Sequence, residues 1–376
     1  MLSTRDFGSA LKEQGFNFYT GVPCSFLKYL INFAINECTY VMATNEGDAV
    51  ATAAGGSLAG QKSVVLMQNS GLTNATSPLT SLNYTFQLPV LGFVSLRGEA
   101  GLGDEPQHEL MGIITEKILE LSNVKWEYLS GDISEARQQI KRANQCIENN
   151  ETFFFVVKKN TFDSVELKPQ TLATPPSVST KLSSAQQVLP KRVEALECIS
   201  KLKDSETVLL VSTGKAGREL YEVEDTPHNL YMVGSMGCIS PLALGLAVNK
   251  PSKNIIAIDG DGASLMRLGA LPTNAYYRPR NLLHILLDNN THDSTGGQAT
   301  ISHHVDYIKL AQACYYENVV EIKELSELEG AIKVWKESKG LTFIYCKIQK
   351  GSKKDLGRPK IKPFEVKTRL MEFING

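Results

Sequence analysis

The sequence has little of what marks several functional classes. Lys and Arg number 39 against 40 Asp and Glu, so no basic excess points to nucleic acid. No apolar run reaches the roughly 18 residues of a membrane span. The opening residues, MLSTRDFGSALKEQG, are amphipathic and lack the apolar stretch of a secretion signal. The seven cysteines (Cys24, Cys38, Cys146, Cys198, Cys238, Cys314 and Cys346) are odd in number and never spaced CxxC. That argues against a disulfide framework and predicts reduced thiols in a cytoplasmic protein. Neither G-x-G-x-x-G nor a P-loop occurs, which argues against a dinucleotide- or nucleotide-binding protein.

What is present is a regular alternation of helices and apolar strands over 376 residues, enough for two or three domains. Strands are expected at Asn17–Tyr19, Tyr40–Thr44, Ser63–Met67, Leu88–Val94 and Phe153–Val157. A second set is expected at Val208–Ser212, Leu230–Val233, Ile255–Ile258, Leu283–Leu287 and Phe343–Ile348. Helices are expected near Ser3–Gln14, Lys191–Leu202, Pro241–Val248 and Leu325–Ser338. Such alternation predicts α/β architecture: two doubly wound domains with mostly parallel sheets. The segment 167–190 is rich in Pro, Ser and Thr and reads as a linker, leaving domains at 1–166 and 191–376.

The stretch from Asn254 to Thr300 organises the rest. One apolar run ends at Gly260-Asp261-Gly262, and the next ends at Asp288-Asn289-Asn290. The two ends lie about one βαβ crossover apart, so a carboxylate and a carboxamide can share the carboxyl edge of one sheet, where doubly wound folds bind ligands. With a backbone carbonyl, such oxygens suit Mg²⁺, which completes its octahedron with phosphate and water.

This pattern is similar to the motif of thiamine diphosphate-dependent enzymes, and the chain resembles the short, two-domain 2-oxoacid decarboxylases among them. The likeness is carried further by TGVPCS (20–25), TNEGDAVATAAG (44–55), MQNSGLTNATSPLTSL (67–82), RGEAGLGDEPQH (97–108), STGKAGREL (212–220), GSMG (234–237), DNNTHDSTGGQ (288–298) and GSKKDLGRP (351–359). The resemblance implies a pyrimidine-binding domain followed by a diphosphate- and Mg²⁺-binding domain. It implies Asp261, Asn289 and the Thr291 carbonyl as metal ligands, with Asn290 as the competing carboxamide. Gly260 closes the strand, and Gly262, Ala263 and Ser264 would meet the diphosphate. Ser212, Thr213 and Gly214 line the cofactor, the Gly234 carbonyl accepts from its amino group, and Met236 wedges it into a bent shape. Glu46 would be the buried carboxylate at the aminopyrimidine ring. A homodimer or higher homo-oligomer, with cofactor sites at the subunit interface, is also implied. Two positions depart from the family pattern: Asn290 stands where Gly is expected, and Cys24 where Asp is expected.

The implied reaction is loss of CO₂ from a small 2-oxoacid, 3-phosphonopyruvate, giving phosphonoacetaldehyde; sulfopyruvate is the alternative. A tetrahedral oxyanion calls for Arg or Lys. Arg97, Arg358 and Lys354 are candidates, with Ser25 and Asn69 as neutral donors. His292, oriented by Asp293, and His108 are candidate general acids. His284 reads as core, and His228, His303 and His304 as surface. Carboligation, and cofactor binding without turnover, are the competing functions; the carboxylate at Glu46 argues against the second.

Overall fold

The apolar runs become the inner strands of two parallel sheets. The computed structural model describes all 376 residues, in two compact units, Met1–Leu172 and Ala173–Gly376. The first unit holds β1 (Phe16–Gly21), β2 (Thr39–Met42), β3 (Lys62–Gln68), β4 (Leu91–Ser95), β5 (Lys125–Tyr128) and β6 (Phe153–Val157). They lie in the order β2-β1-β3-β4-β6-β5, all parallel. β4 and β6 are buried along their whole length, as expected of strands covered by helices on both faces.

The second unit holds β7 (Ser179–Lys181), β8 (Thr207–Val211), β9 (Asn229–Tyr231), β10 (Asn254–Gly260), β11 (Leu282–Asp288), a short antiparallel hairpin of β12 (Thr291–His292) and β13 (Gln298–Ala299), then β14 (Asn318–Ile322) and β15 (Thr342–Lys347). The main sheet runs β7-β14-β15-β11-β10-β8-β9. Apart from β7 and the hairpin, this is the strand order of the first unit over again. In each unit the order reverses at the first strand of the α/β alternation. The crevice at that reversal, between β1 and β3 or between β8 and β10, is where such sheets accept ligands.

The segment expected to be a free linker is partly structured. Its residues Ser179–Lys181 form an edge strand paired with β14. No residue of that strand is buried, which is why no apolar pattern marks it. The small-residue helix Glu46–Leu58 starts at Asn45, whose side chain accepts from the Gly47 amide, and it is buried from Gly47 to Leu58. Ala and Gly there allow close approach to the sheet despite their poorer helix propensity at Gly. All seven cysteines are free thiols, and no helix is long and apolar enough to cross a membrane.

Candidate functional site

In the second unit, one cavity opens at the carboxyl ends of β8, β10 and β11. It is lined by Ser212 and Thr213 after β8, Gly260 at the end of β10 with Asp261 to Ala263 after it, Asn289 to Asp293 after β11 (Asn290 excepted), and Met236. Asp261 is 3% exposed and no cationic side chain is paired with it. The hydroxyls of Thr300 and Ser302 hydrogen-bond to its carboxylate. Burial pushes the Asp261 carboxyl up from its ordinary range, and the nearby Asp288 charge adds to this, against the Thr300 bond. A buried carboxylate without a cation is costly, so this site suits a bound cation.

The hairpin supplies the other oxygens. Thr300 donates its amide to the Asn290 carbonyl at 3.2 Å. Thr291 and Ala299 therefore face each other as a non-hydrogen-bonded pair, and the Thr291 carbonyl points away from β13. Asn289 Oδ1 accepts the Thr291 amide at 3.2 Å and keeps a second lone pair. Carboxylate, carboxamide and carbonyl are hard donors that fit Mg²⁺. Asn290 does not compete: its Oδ1 accepts from Ser302 Oγ at 2.8 Å and the His303 amide at 3.1 Å. With φ of 54° it occupies the left-handed conformation that Gly takes most easily and Asn tolerates. Asn290 therefore holds a backbone conformation that the expected Gly would also adopt. Asp288 is fully engaged by Ser302, Tyr345 and the Asn290 amide, each at 2.8 Å.

His292 lies against the Gly260-Asp261-Gly262 turn. A Cβ built on Gly262 would be 2.6 Å from His292 Cε1 and 3.0 Å from Met236 Cε, so only glycine admits both side chains there. Gly234, Ser235 and Gly237 all have positive φ, a tight loop that carries Met236 into the cavity. Gly214, with φ of 98°, precedes the helix Lys215–Val223. The expected contact between Asp293 and His292 is not formed. Asp293 Oδ2 instead accepts from Asn289 Nδ2 at 2.7 Å and from Arg192 at 3.1 Å. Arg192, Lys215 and Asp259 also line the cavity. Nothing in the sequence sets them apart: Arg192 and Lys215 are the first residues of their helices, and Asp259 is the last residue but one of β10. Lys354 and Arg358 are exposed, and neither lines this cavity.

In the first unit, the crevice between β1 and β3 gathers another polar group. Cys24 is buried, its thiol 3.0 Å from Ser95 Oγ. Arg97 donates from Nε to Asp104 at 2.7 Å, from Nη2 to the other Asp104 oxygen, and from Nη1 to Ser25 Oγ at 3.3 Å. These hydrogen bonds from Arg97 hold the Asp104 carboxyl well below the usual carboxylate range. Asn69, expected to donate to a ligand, is fully buried, and its Nδ2 serves the Arg97 carbonyl at 2.8 Å and Thr115 at 3.0 Å. It holds the Arg97 backbone instead. His108 is buried, with Nδ1 lacking a partner.

Glu46 is half-buried, less than expected. Its Oε2 accepts from Asn74 Nδ2 at 2.9 Å, and its carboxylate lies over Gly71, where a Cβ would come within 2.1 Å of Oε1. One helix thus presents the carboxylate and a neighbouring helix, Asn69–Pro78, holds it.

Comparison with known proteins agrees with this geometry. Residues 4–117 match the model of the thiamine pyrophosphate enzyme N-terminal TPP binding domain, and residues 213–346 match that of the C-terminal TPP binding domain. The chain belongs to the thiamine pyrophosphate enzyme family. Among this family's members, phosphonopyruvate decarboxylase of Streptomyces hygroscopicus is 37% identical, over 99% of this chain and 94% of the relative. Sulfopyruvate decarboxylase of Methanosarcina acetivorans is 28% identical over 97% of this chain and 96% of that one. The fold matches the crystal structure of benzoylformate decarboxylase from Polynucleobacter necessarius with a TM-score of 0.73 at 14% identity, covering 94% of this chain and 100% of the other.

Proposed function

We propose that this thiamine pyrophosphate enzyme decarboxylates 3-phosphonopyruvate to phosphonoacetaldehyde and CO₂, in biosynthesis of phosphonates of the 2-aminoethylphosphonate type. The observation that carries the reading is the pairing of Arg97 with Ser25 at the β1/β3 crevice, in a chain similar end to end to a phosphonopyruvate decarboxylase. Bound thiamine diphosphate would supply the nucleophilic carbon and the electron sink for CO₂ loss. Asp261, Asn289 and the Thr291 carbonyl would hold Mg²⁺ against its diphosphate, and the Gly262 and Ala263 turn would lie beneath. Met236 would set the bend of the cofactor, and Glu46 would hold the proton at the aminopyrimidine nitrogen.

Arg97 and Ser25 would bind the phosphonate. Asp104 already offsets the Arg97 charge, so the pair orients the dianion by hydrogen bonds without also clamping the carboxylate that must leave. His292, in the cavity beside Met236, is the general acid we favour over His108. Seven free thiols support a cytoplasmic enzyme, and a homodimer or larger assembly is expected by size-exclusion chromatography with light scattering.

The test is aldehyde release with Mg²⁺ and thiamine diphosphate, comparing kcat/KM for phosphonopyruvate, sulfopyruvate and pyruvate. Preference for phosphonopyruvate is expected. Preference for sulfopyruvate would keep the chemistry and replace the substrate, in line with the second relative.

A further inference from the structure

The carboxamide of Asn289 has two chemically different ends, and only its oxygen can hold a hard cation. Its neighbours distinguish the ends. Nδ2 donates to Asp293 Oδ2 at 2.7 Å, while Oδ1 accepts the Thr291 amide at 3.2 Å. A turned-over amide would set N–H against N–H at Thr291 and oxygen against carboxylate at Asp293. Both contacts would repel, so only one orientation satisfies the site.

Asp293 is itself held firmly. Its Oδ2 accepts from Arg192 Nη1 and from the Gly351 amide, both at 3.1 Å. Arg192 is backed by Glu219, whose Oε2 accepts from Nε at 2.8 Å; their side chains are 8% and 4% exposed. Arg192 also donates to the Gly351 carbonyl at 3.3 Å. The same pair therefore fixes both the carboxamide after β11 and the first residues of the segment after β15. An acceptor locked in this way keeps the amide in place whether or not a ligand is present.

We infer that Asp293 is a positioning residue: backed by Arg192 and Glu219, it orients the Asn289 carboxamide and so sets how tightly the protein takes up a divalent cation with its cofactor. This rests on Asn289 being a metal ligand, as proposed above. It removes Asp293 from proton transfer with His292.

The test is titration calorimetry of full-length apoprotein with thiamine diphosphate at graded Mg²⁺, alongside apoprotein melting curves. Asp293→Ala should raise the apparent Kd about 10–100-fold, the usual scale for loss of a group that orients a metal ligand, and added Mg²⁺ should recover part of the loss. Asp293→Asn, which keeps an oxygen for Asn289 Nδ2, should recover most of the affinity. Should Asp293→Ala fail to fold, Asp293→Ser serves, because its hydroxyl is too short to reach the carboxamide. Wild-type Mg²⁺ dependence in Asp293→Ala would overturn the inference. So would Asp293→Asn binding as weakly as Asp293→Ala, which would leave charge rather than orientation as the cause. Asn289→Ala separates the two levels: unchanged binding there would defeat the metal assignment itself, whereas weakened binding there with normal Asp293→Ala would defeat only the positioning role.

Discussion

Glu46 and Gly71 form a contact in which stability and activity should part. Ala normally favours a helix over Gly by about 1 kcal/mol, but a Cβ at Gly71 would overlap the Glu46 carboxylate, 2.1 Å from Oε1 and 2.2 Å from Cδ. That carboxylate ends a flexible, half-buried side chain and can swing aside at small cost. Gly71→Ala should therefore melt within about 1 kcal/mol of wild type yet lose turnover nearly as completely as Glu46→Gln. For Glu46→Gln we expect a loss of about 10²–10⁴-fold with thiamine diphosphate still bound, measured by steady-state rates and calorimetry. Glu46 was legible in the sequence because a carboxylate opening a small-residue helix stands out. Gly71 and Asn74 were not, because their role exists only once two helices are packed. Asp104 was not legible either, because its role appears only when the loop after β4 folds it back onto Arg97, seven residues earlier; it carries a pH signature. Unfolded Asp ionises near 3.9, and hydrogen bonds from Arg97 put the folded value lower. The pair's contribution is complete above about pH 3.9 and is lost as pH falls toward the folded value. The difference in Tm between wild type and Asp104→Asn should then be constant near neutrality and shrink below about pH 4.

At the scale of elements, the strands that were legible are those buried on both faces. β6 was placed to the residue as Phe153–Val157, and the helix Leu325–Ser338 likewise. β5, β7 and β14 gave little signal. β7 is exposed throughout, β5 mixes charged and aromatic residues at a sheet edge, and β14 is only partly buried. Their place in the sheet comes from pairing with neighbours rather than from their own composition. The strands that deliver Asp261 and Asn289 were legible, but the link between them was not. His284 on β11 approaches Asp259 on β10 at 3.2 Å, with both side chains 1% exposed, and Asp259 Oδ1 has no partner. Removing the imidazole would strand that carboxylate. His284→Leu should lose about 1–3 kcal/mol, the usual cost of leaving a buried acceptor without its partner, and denaturant melts would measure it. A loss well under 1 kcal/mol would mean that Asp259 finds relief in the adjoining cavity.

At the scale of the whole chain, two units repeat one strand order, and neither sheet borrows a strand from the other. The similarity in size and rhythm was visible in the sequence; the identity of topology was not, because the halves share no residue-by-residue repeat. The edge strand Ser179–Lys181 belongs with the second half, so a cut for separate expression belongs at Leu172–Ala173 rather than after Pro190. Co-expressed halves cut there should each be recovered in soluble form with native circular dichroism; a cut after Pro190 would strip β7 from β14 and should lower the melting point of the second half. The peptide bond at Leu172–Ala173 then acts as a tether. It guarantees equal numbers of the two sheets in every molecule, whatever the level of expression. Severed halves would lose that guarantee, and their ratio would follow the expression of each.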